Sequence, residues 1–354
     1  MKSYGSLCIT LRAAFWATVF CLSFAKVAKG SITDDLKFET SDLMKKAAYH
    51  NPDRIAADVA ADGALGKVNI AWDQTHTGIW YIEEQRYGMD AVTAGIADDD
   101  AAAIDRGLKA FRWGFEQQQT DGSFSCPDAF HSTSFFVEAT SHACLLLEAS
   151  SFRDRYASQV DWLKPRILKA ALWMINPAVE EAGRRHNARY THRRYLVAAA
   201  LGEAGVLCGN QTLIDKSKEY IREGVSLQSP AGYNPEKGGY DCSYHAVGLV
   251  FAERYCDVVA DSETKKELYP MLKRANEWLK TRIQPDGTID PTGNTRTGLS
   301  QEKGRGGEYK KVSYAQTVRT FYRWSLMSDD PAYTQLADRV IEGERISKRQ
   351  AETK

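Results

Sequence analysis

The sequence predicts an all-α protein in which about six to seven helical hairpins form a complete or incomplete ring, an α/α toroid. Apolar residues recur at three- and four-residue intervals along most of the chain, and runs with the two-residue alternation of strands are few. Helices with one charged face alternate with helices that are apolar nearly all round. Trp113 and Trp278 each lie eight residues before an Asp-Gly turn, which indicates a repeated hairpin unit.

The first thirty residues have the pattern of a secretory signal peptide. Lys2 and Arg12 flank a short polar segment, and an apolar run follows at 13–25. This run is too short to span a bilayer comfortably. Small residues then occupy the −3 and −1 positions of a cleavage site. We therefore expect residues 1–30 to be removed and residues 31–354 to form one domain. The mature protein is expected to be periplasmic or secreted, without a membrane span.

The charge balance argues against a nucleic-acid partner. The chain has 46 basic and 46 acidic residues, and residues 1–30 contain four of the basic ones and no acid, so the mature net charge is −4. Nucleic-acid-binding proteins usually show a strong basic excess. Zinc-protease and nucleotide-binding motifs such as HExxH and GxGxxG do not occur. A mature chain of 324 residues is long enough to bury a large core.

Seven segments show the helical pattern, and Gly/Pro/Asp clusters separate them. In chain order they are 101–119, 132–149, 160–175, 194–208, 243–259, 264–283 and 312–327. Segments 101–119 and 264–283 have a charged face, as expected of outer helices. Segments 194–208 and 243–259 are apolar almost all round, which is typical of helices buried on every side. In a ring of hairpins, the loops before the inner helices gather at one end.

The cysteines divide into two groups. Cys144, Cys208 and Cys256 lie in apolar helical patterns and are expected in the core. Cys126 and Cys242 lie in loops, where they can either pair in an oxidising compartment or stay reduced. Five cysteines remain after residues 1–30, so at least one must be unpaired.

Three polar clusters fall at equivalent points, in or beside the loops that enter helices. Residues 184–194 (RRHNARYTHRR) contain five arginines and two histidines without an acid. Residues 233–245 (YNPEKGGYDCSYH) and 291–314 combine tyrosines, amides and cations. In an otherwise acidic mature chain, positive charge concentrated in this way favours an anionic ligand.

The residue types in these clusters suit β-elimination on a uronic acid polymer. The C5 proton of a uronate lies next to a carboxylate, and its removal creates an enolate-like dianion. Arginine, amide and histidine donors stabilise that charge. Tyrosine or histidine can take the proton, and tyrosine can return one to the departing O4 oxygen. Cations near a tyrosine favour its phenolate form. We predict no metal and no other cofactor for this reaction.

Three stretches resemble the α/α-toroid polysaccharide lyases: THRRYLVAAALGEAGVL, GGYDCSYHAVGLVFAERY and IQPDGTIDPTGNTRTG. Alginate and glucuronan lyases are the most similar, and heparinase-type lyases are more distant. The resemblance implies that His192 matches the histidine of an Asn-His pair and that Tyr244 with His245 matches a later Tyr-His pair. It implies Tyr244 as the acid and as a candidate base. It implies His192 as a carboxylate-neutralising group or as the base for one C5 epimer.

The chain departs from the family pattern at two points. Thr191 precedes the first histidine where the related enzymes have asparagine, and Asn187 is the nearest substitute. Related enzymes also often carry an arginine a short distance before the tyrosine, where this chain has Lys237. The group that meets the substrate carboxylate is therefore Lys237, Arg193 or Arg296.

These considerations define the predicted site. The predicted catalytic residues are Tyr244, His192, His245 and Arg296. The predicted substrate-binding residues are Asn187, Arg189, Arg193, Lys237, Tyr240 and Trp72. The expected ligand is an anionic polysaccharide.

Two other functions stay open on the sequence alone. A glycoside hydrolase of the same architecture would need two carboxylates roughly 5–9 Å apart. Its loop candidates are Asp73, Asp121, Asp241 and Glu236. A non-catalytic carbohydrate-binding protein would instead use exposed aromatic rings as stacking platforms, the candidates being Trp72, Trp80 and Tyr240.

Overall fold

The fold is known from a computed structural model. The structure describes residues 32–47, 55, 59–65, 81–304 and 307–352. The predicted signal peptide therefore lies outside the described residues, as do Trp72, Asp73 and Trp80.

The described part of the chain is all-α, which confirms the predicted fold class. Its β-type pairing is limited to isolated bridges. The helices are α1 (Ile32–Glu39), α2 (Asp42–Lys45), α3 (Tyr81–Gln85), α4 (Gly88–Asp98), α5 (Ala101–Glu116), α6 (Ala129–Ala149), α7 (Arg153–Met174), α8 (Pro177–Asn187), α9 (Thr191–Cys208), α10 (Gln211–Ser226), α11 (Cys242–Val258), α12 (Ser262–Lys280), α13 (Tyr314–Ser328) and α14 (Pro331–Glu352). Among these helices, none is long and apolar enough to cross a bilayer.

The longer helices alternate between buried and outer positions. Helices α6, α9 and α11 are buried almost all round, whereas α5, α10 and α12 bury one face. Each outer helix packs on the buried helix before it: α5 on α4, α7 on α6, α10 on α9, α12 on α11 and α14 on α13. The buried helices also contact one another in succession, from α4 through α6, α9 and α11 to α13.

Short turns that contain a glycine recur along the chain, and each of them packs against an outer helix. Gly63, Gly122, Gly232 and Gly287 all have positive φ, between +85° and +99°. A Cβ atom at any of them would collide with a backbone carbonyl of an outer helix, namely that of Lys109, Lys169, Arg274 or Arg339 respectively. The repeat predicted from two Asp-Gly turns therefore extends to at least four structurally equivalent turns, and the turn at Gly232 lacks the Asp-Gly sequence.

Helices α9 and α11 run parallel, which places their N-termini together. Near their starts, Gly248 lies against His192, and near their ends Gly202 lies against Val259 and Tyr255. These glycines allow the two backbones to approach closely, since a Cβ at Gly202 would lie 2.7 Å from a Val259 methyl group. The loops that precede both helices are thereby brought to the same end of the helix pair.

Candidate functional site at the N-terminal ends of α9 and α11

Three loops meet where α9 and α11 begin. Tyr190 pairs with Glu236 in an isolated antiparallel bridge, and Tyr240 pairs with Asn294 in a parallel one. These bridges join the loop before α9, the loop before α11 and the long loop before α13. The three polar clusters predicted from the sequence are therefore in contact.

Asp241 is the anchor of this junction. Its fully buried carboxylate caps α11, where Oδ1 accepts hydrogen bonds from the amides of Ser243 and Tyr244, both at 3.1 Å. Its Oδ2 accepts from the amides of Arg296 and Thr297 at 2.9 and 2.8 Å. Both oxygens are thus occupied by backbone donors, and they fix the long loop against the start of α11.

His192 lies in the first turn of α9 and is held by Glu236. One carboxylate oxygen, Oε1, accepts from the His192 amide at 3.0 Å and lies 2.7 Å from its Nδ1. Burial lowers the pKa of His192 below its usual value, and the carboxylate offsets this only in part. A neutral ring that donates Nδ1–H to Glu236 has its lone pair on Nε2, and Nε2 makes no hydrogen bond within the described part of the chain.

Tyr244 lies beside His192, with their ring centroids 4.8 Å apart. The Tyr244 hydroxyl accepts a hydrogen bond from Lys310 Nζ at 2.9 Å. The Arg296 guanidinium lies over the same ring, with Cζ 3.4 Å from the ring centroid. Two cations therefore flank this tyrosine, one at the hydroxyl and one on the ring face.

Glu302 gathers the cations of the site. It accepts from Arg296 Nε at 3.0 Å and from Lys237 Nζ at 2.6 Å, and it contacts Lys310. Burial alone would raise the pKa of Glu302, but these three partners hold it well below the usual range. Glu236 Oε2 also lies 3.6 Å from Arg296 Nη1, so three cations face two carboxylates and the group keeps a net charge of +1, as expected of a site for an anion.

The predicted binding residues of the first cluster are divided. Arg193 is largely buried and donates to Asn187 Oδ1 at 2.6 Å and to Asp128 at 3.2 Å, while its Cζ lies 4.5 Å from the Tyr190 ring centroid. Asn187 therefore supports an arginine, and its described side-chain contact is with Arg193 and not with His192. Arg189 is exposed, and its described contribution is a carbonyl that accepts from the backbone amide of the Lys237 turn.

His245 belongs to the core and not to the His192–Tyr244 contact. Its ring is fully buried, its Nδ1 accepts from the Asn234 amide at 3.0 Å, and its Nε2 donates to the Ala275 carbonyl at 3.1 Å. Burial lowers the pKa of His245 to about 4. The prediction that His245 is catalytic is not supported, because adjacent residues on a helix point about 100° apart and only Tyr244 faces His192.

Tyr240 is part of an aromatic cluster next to the site. Its ring centroid lies 5.2 Å from that of Trp278 and 5.4 Å from that of Tyr233, and its hydroxyl donates to the Thr292 carbonyl. All three rings are partly exposed. The cluster could stack on a sugar, but its described contacts also account for it as packing between the loops and α12.

Cys242 is a free thiol, so the pairing with Cys126 that the sequence left open is not formed. The Cys242 sulfur accepts from Asn294 Nδ2 at 3.0 Å, and the Asn294 Oδ1 accepts from the Cys242 amide. The join between the second and third loops is therefore a hydrogen-bonded one.

The structure adds four residues that the lyase hypothesis did not include: Glu236, Tyr190, Glu302 and Lys310. Glu236 and Glu302 are acids inside cation-rich loops. An acid among cations was the feature of the sequence that could have predicted a charge-pairing role for them. Tyr190 has cations around its ring, including Arg193 and Arg296. The carboxylates here are occupied by amide, imidazole and cationic groups, so the junction fits an anionic ligand better than a metal ion.

No family model matches the chain. None of the curated proteins matches it either.

Proposed function

We propose that this protein is a periplasmic or secreted polysaccharide lyase that cleaves a uronate polymer by β-elimination. We further propose that its hairpins are arranged as an α/α toroid, with the candidate site at one end. The single observation that supports the reaction most strongly is the contact between His192 and Tyr244, with Arg296 and Lys310 around the tyrosine. The resemblance to alginate and glucuronan lyases adds to this support.

The reaction moves one proton off carbon and one onto oxygen. A base takes the C5 proton, the electron pair of that bond forms the C4=C5 double bond, and the C4–O4 bond breaks. An acid then protonates O4 of the departing chain. No redox change occurs, and the product carries an unsaturated uronate at its new end.

His192 and Tyr244 suit the two proton transfers. The neutral imidazole offers Nε2 as a base, because Glu236 holds the proton on Nδ1. The Tyr244 hydroxyl suits the acid, since a positioned phenol can donate to the leaving oxygen. Lys310 donates to the same hydroxyl oxygen and would stabilise the negative charge that the phenol acquires.

The carboxylate of the sugar is proposed to meet the cations on Glu302. Arg296 is nearly buried and engaged with Glu302 through two of its nitrogens, so it supplies positive charge and positions Tyr244. Lys237 and Lys310 are more exposed, with 29% and 25% of their side chains accessible. Of the three alternatives that the sequence offered, Lys237 is therefore favoured for direct contact, with Lys310 beside it.

The hydrolase alternative receives less support. Asp241 is fully buried with both oxygens occupied, and Glu236 is buried against His192. Asp121 is exposed in a turn, where it accepts from Ser123. No pair among these described carboxylates has the open position that an acid and a nucleophile or base require.

Product formation provides the direct test. The purified protein is incubated separately with polymannuronate, polyguluronate, glucuronan and glycosaminoglycans, and the ultraviolet absorbance of the unsaturated uronate is followed. We expect one polymer class to be cleaved, and Tyr244→Phe to lower kcat by roughly 10²-fold or more through loss of the proton donor.

Tyr269→Phe is the matched control, because Tyr269 lies on the outer helix α12 with its side chain exposed. It should retain wild-type activity. If no polymer gives unsaturated ends, the lyase proposal is wrong. Reducing ends without ultraviolet absorbance would indicate a hydrolase, and polymer binding without cleavage would indicate a binding protein.

A further inference from the structure

A second polar cluster lies in the interior, away from the candidate site. Helix α1 packs against α4, α6 and α11. Its Asp35 and Glu39 are four residues apart and so share one helix face, and both are fully buried. They face His142 of α6, which is also fully buried. Glu203 of α9 lies on the other side of the His142 ring.

The three side chains have the spacing of metal ligands. His142 Nε2 lies 3.1 Å from Asp35 Oδ2 and 3.9 Å from Glu39 Oε1. One ligand atom from each residue lies within 4.8 Å of the others. Two ligands bound to one zinc ion at 2.0–2.2 Å are expected to lie roughly 3.0–3.6 Å apart.

Several of these atoms have no hydrogen-bond partner among the described residues. They are Asp35 Oδ2, Glu39 Oε2, both ring nitrogens of His142 and both carboxylate oxygens of Glu203. The 3.1 Å approach of His142 to Asp35 is thus short without the geometry of a hydrogen bond. Buried acceptors are rarely left in this state, and a cation between them would satisfy them together.

Arginines surround both carboxylates of α1. Arg323 contacts Asp35 Oδ1, and both Arg319 and Arg323 contact Glu39 Oε1. Asp35 therefore turns its other oxygen, Oδ2, towards His142. Glu39 Oε1 contacts the arginines and also lies 3.9 Å from His142 Nε2, and Oε2 is its unpartnered oxygen.

Glu203 occupies the place of an outer-shell partner. Its Oε1 lies 3.5 Å from His142 Nδ1, the nitrogen that does not face Asp35. A metal-bound histidine almost always directs its other nitrogen to a carboxylate, a carbonyl or water, which fixes the tautomer and orients the ring. His142 contacts Asp35 through one ring nitrogen and Glu203 through the other, as that arrangement requires.

We propose that Asp35, Glu39 and His142 bind one divalent transition-metal ion of the zinc class. Imidazole with two carboxylates suits zinc and its neighbours, whereas magnesium and calcium prefer oxygen ligands alone. The ion anchors α1 between the buried helices. Its role is structural, since its ligands are fully buried and Glu203 is eleven residues along α9 from His192, about 16 Å. The proposal does not depend on the lyase reaction.

Protons are the rival to a metal in this cluster. Burial lowers the pKa of His142 well below its usual value, and burial together with Glu138 raises that of Glu203 well above. A protonated Glu203 could then donate to a neutral His142, which would in turn donate to Asp35. This chain of hydrogen bonds would satisfy the same atoms without an ion, so metal content decides between the two.

The test begins with the wild-type full chain purified without chelator. Elemental analysis is expected to find about one equivalent of zinc per chain, as a single site requires. After chelator treatment, ZnCl₂ at a hundred times its Kd should raise Tm by roughly 4 °C or more. Substitution with CoCl₂ should produce the visible absorption of a cobalt–imidazole site.

Variants then locate the ion. His142→Gln should abolish stoichiometric binding, and Glu203→Gln should weaken it by roughly 10- to 100-fold as an outer-shell change does. Asp34→Asn is the matched control, since Asp34 lies on α1 beside Asp35 but its side chain is exposed. If His142→Gln does not fold, the wild-type measurements still decide. Substoichiometric metal together with no change of Tm on adding zinc, manganese or cobalt would overturn the proposal in favour of the proton chain.

Discussion

Lowering the pH from 7 to 5 should destabilise the protein through His245. Its folded pKa is about 4, and a histidine in the unfolded chain has a pKa near 6.5. The unfolded chain therefore binds more protons, and the free energy of unfolding falls as the pH drops from about 6.5 towards 4. At pH 5 this linkage costs about 2 kcal/mol from His245 alone, and close to 3 kcal/mol below pH 4.

The cause of the shift is visible in the structure. The imidazole is fully buried between backbone groups of the Asn234 loop and of α12, and Nδ1 must stay unprotonated to accept from the Asn234 amide. Protonation would place two donors against one another as well as a charge in the core. Burial lowers the pKa of His142 and His192 as well, so the whole protein should lose more stability than His245 accounts for.

A matched variant separates the contribution of His245. Glutamine can both accept from Asn234 and donate to Ala275, so His245→Gln should fold and lose the titrating group. Urea unfolding at pH 7 and pH 5 should show a drop that is about 2 kcal/mol smaller in His245→Gln than in the wild type. His186→Gln is the control, because the His186 side chain is 58% exposed. Equal drops in the wild type and in His245→Gln would refute the reasoning.

Three further predictions follow from the same contacts. Glu236→Gln removes the negative charge that holds the His192 proton on Nδ1, and the glutamine NH₂ can donate to that nitrogen and select the other tautomer. We therefore expect kcat on the cleaved polymer to fall roughly 10²- to 10⁴-fold while circular dichroism is unchanged; unchanged kcat would exclude His192 as the base. Asp241→Ala removes the α11 cap and strands two buried amides, so urea unfolding should show a loss of about 3–5 kcal/mol, and a loss under 1 kcal/mol would contradict its anchoring role. Gly232→Ala should lower the free energy of unfolding by roughly 3 kcal/mol or more, because its Cβ would lie 2.6 Å from the Arg274 carbonyl. The control Gly209→Ala should cost about 1 kcal/mol, because a Cβ at Gly209 meets nothing within 4 Å. Equal Tm values for the two variants would contradict the close approach.

Seven of the fourteen described helices were predicted because their signal is local, whereas α4, α8, α10 and α14 were among those that the predicted segments missed. Apolar spacing gave the helix that contains Tyr244 and the one that contains His192, and small residues indicated which helices are buried. The turn at Gly232 escaped the repeat analysis, because its sequence is Ala-Gly and the feature that repeats is a positive φ against a carbonyl. The only sign of this backbone conformation in the sequence is a glycine, and glycines also occur for many other reasons.

The site was predictable in composition but not in pairing. His192 and Tyr244 were selected by the resemblance to polysaccharide lyases, and Arg296 was one of three cations that the polar loops offered. Their partners were not predicted, because Glu236 is 44 residues from His192 and Lys310 is 66 residues from Tyr244. Neighbours in sequence were also misleading, since His245 follows Tyr244 directly and yet has both nitrogens bound to the backbone.

The buried acid Glu236 explains how a cation-rich site can contain a base. The N-termini of α9 and α11 add positive potential to that of Arg296, Lys237 and Lys310, and such a field attracts a carboxylate. In the same field, an imidazole without a carboxylate partner would be a poor base, because nothing would fix which ring nitrogen carries the proton. Glu236 makes that selection through one oxygen, and it is fully buried, so it does not present its charge to an incoming anion. In the proposed reaction, Lys237 meets the substrate carboxylate and Glu236 sets the tautomer of His192, so changing Lys237 should affect KM while changing Glu236 should affect kcat.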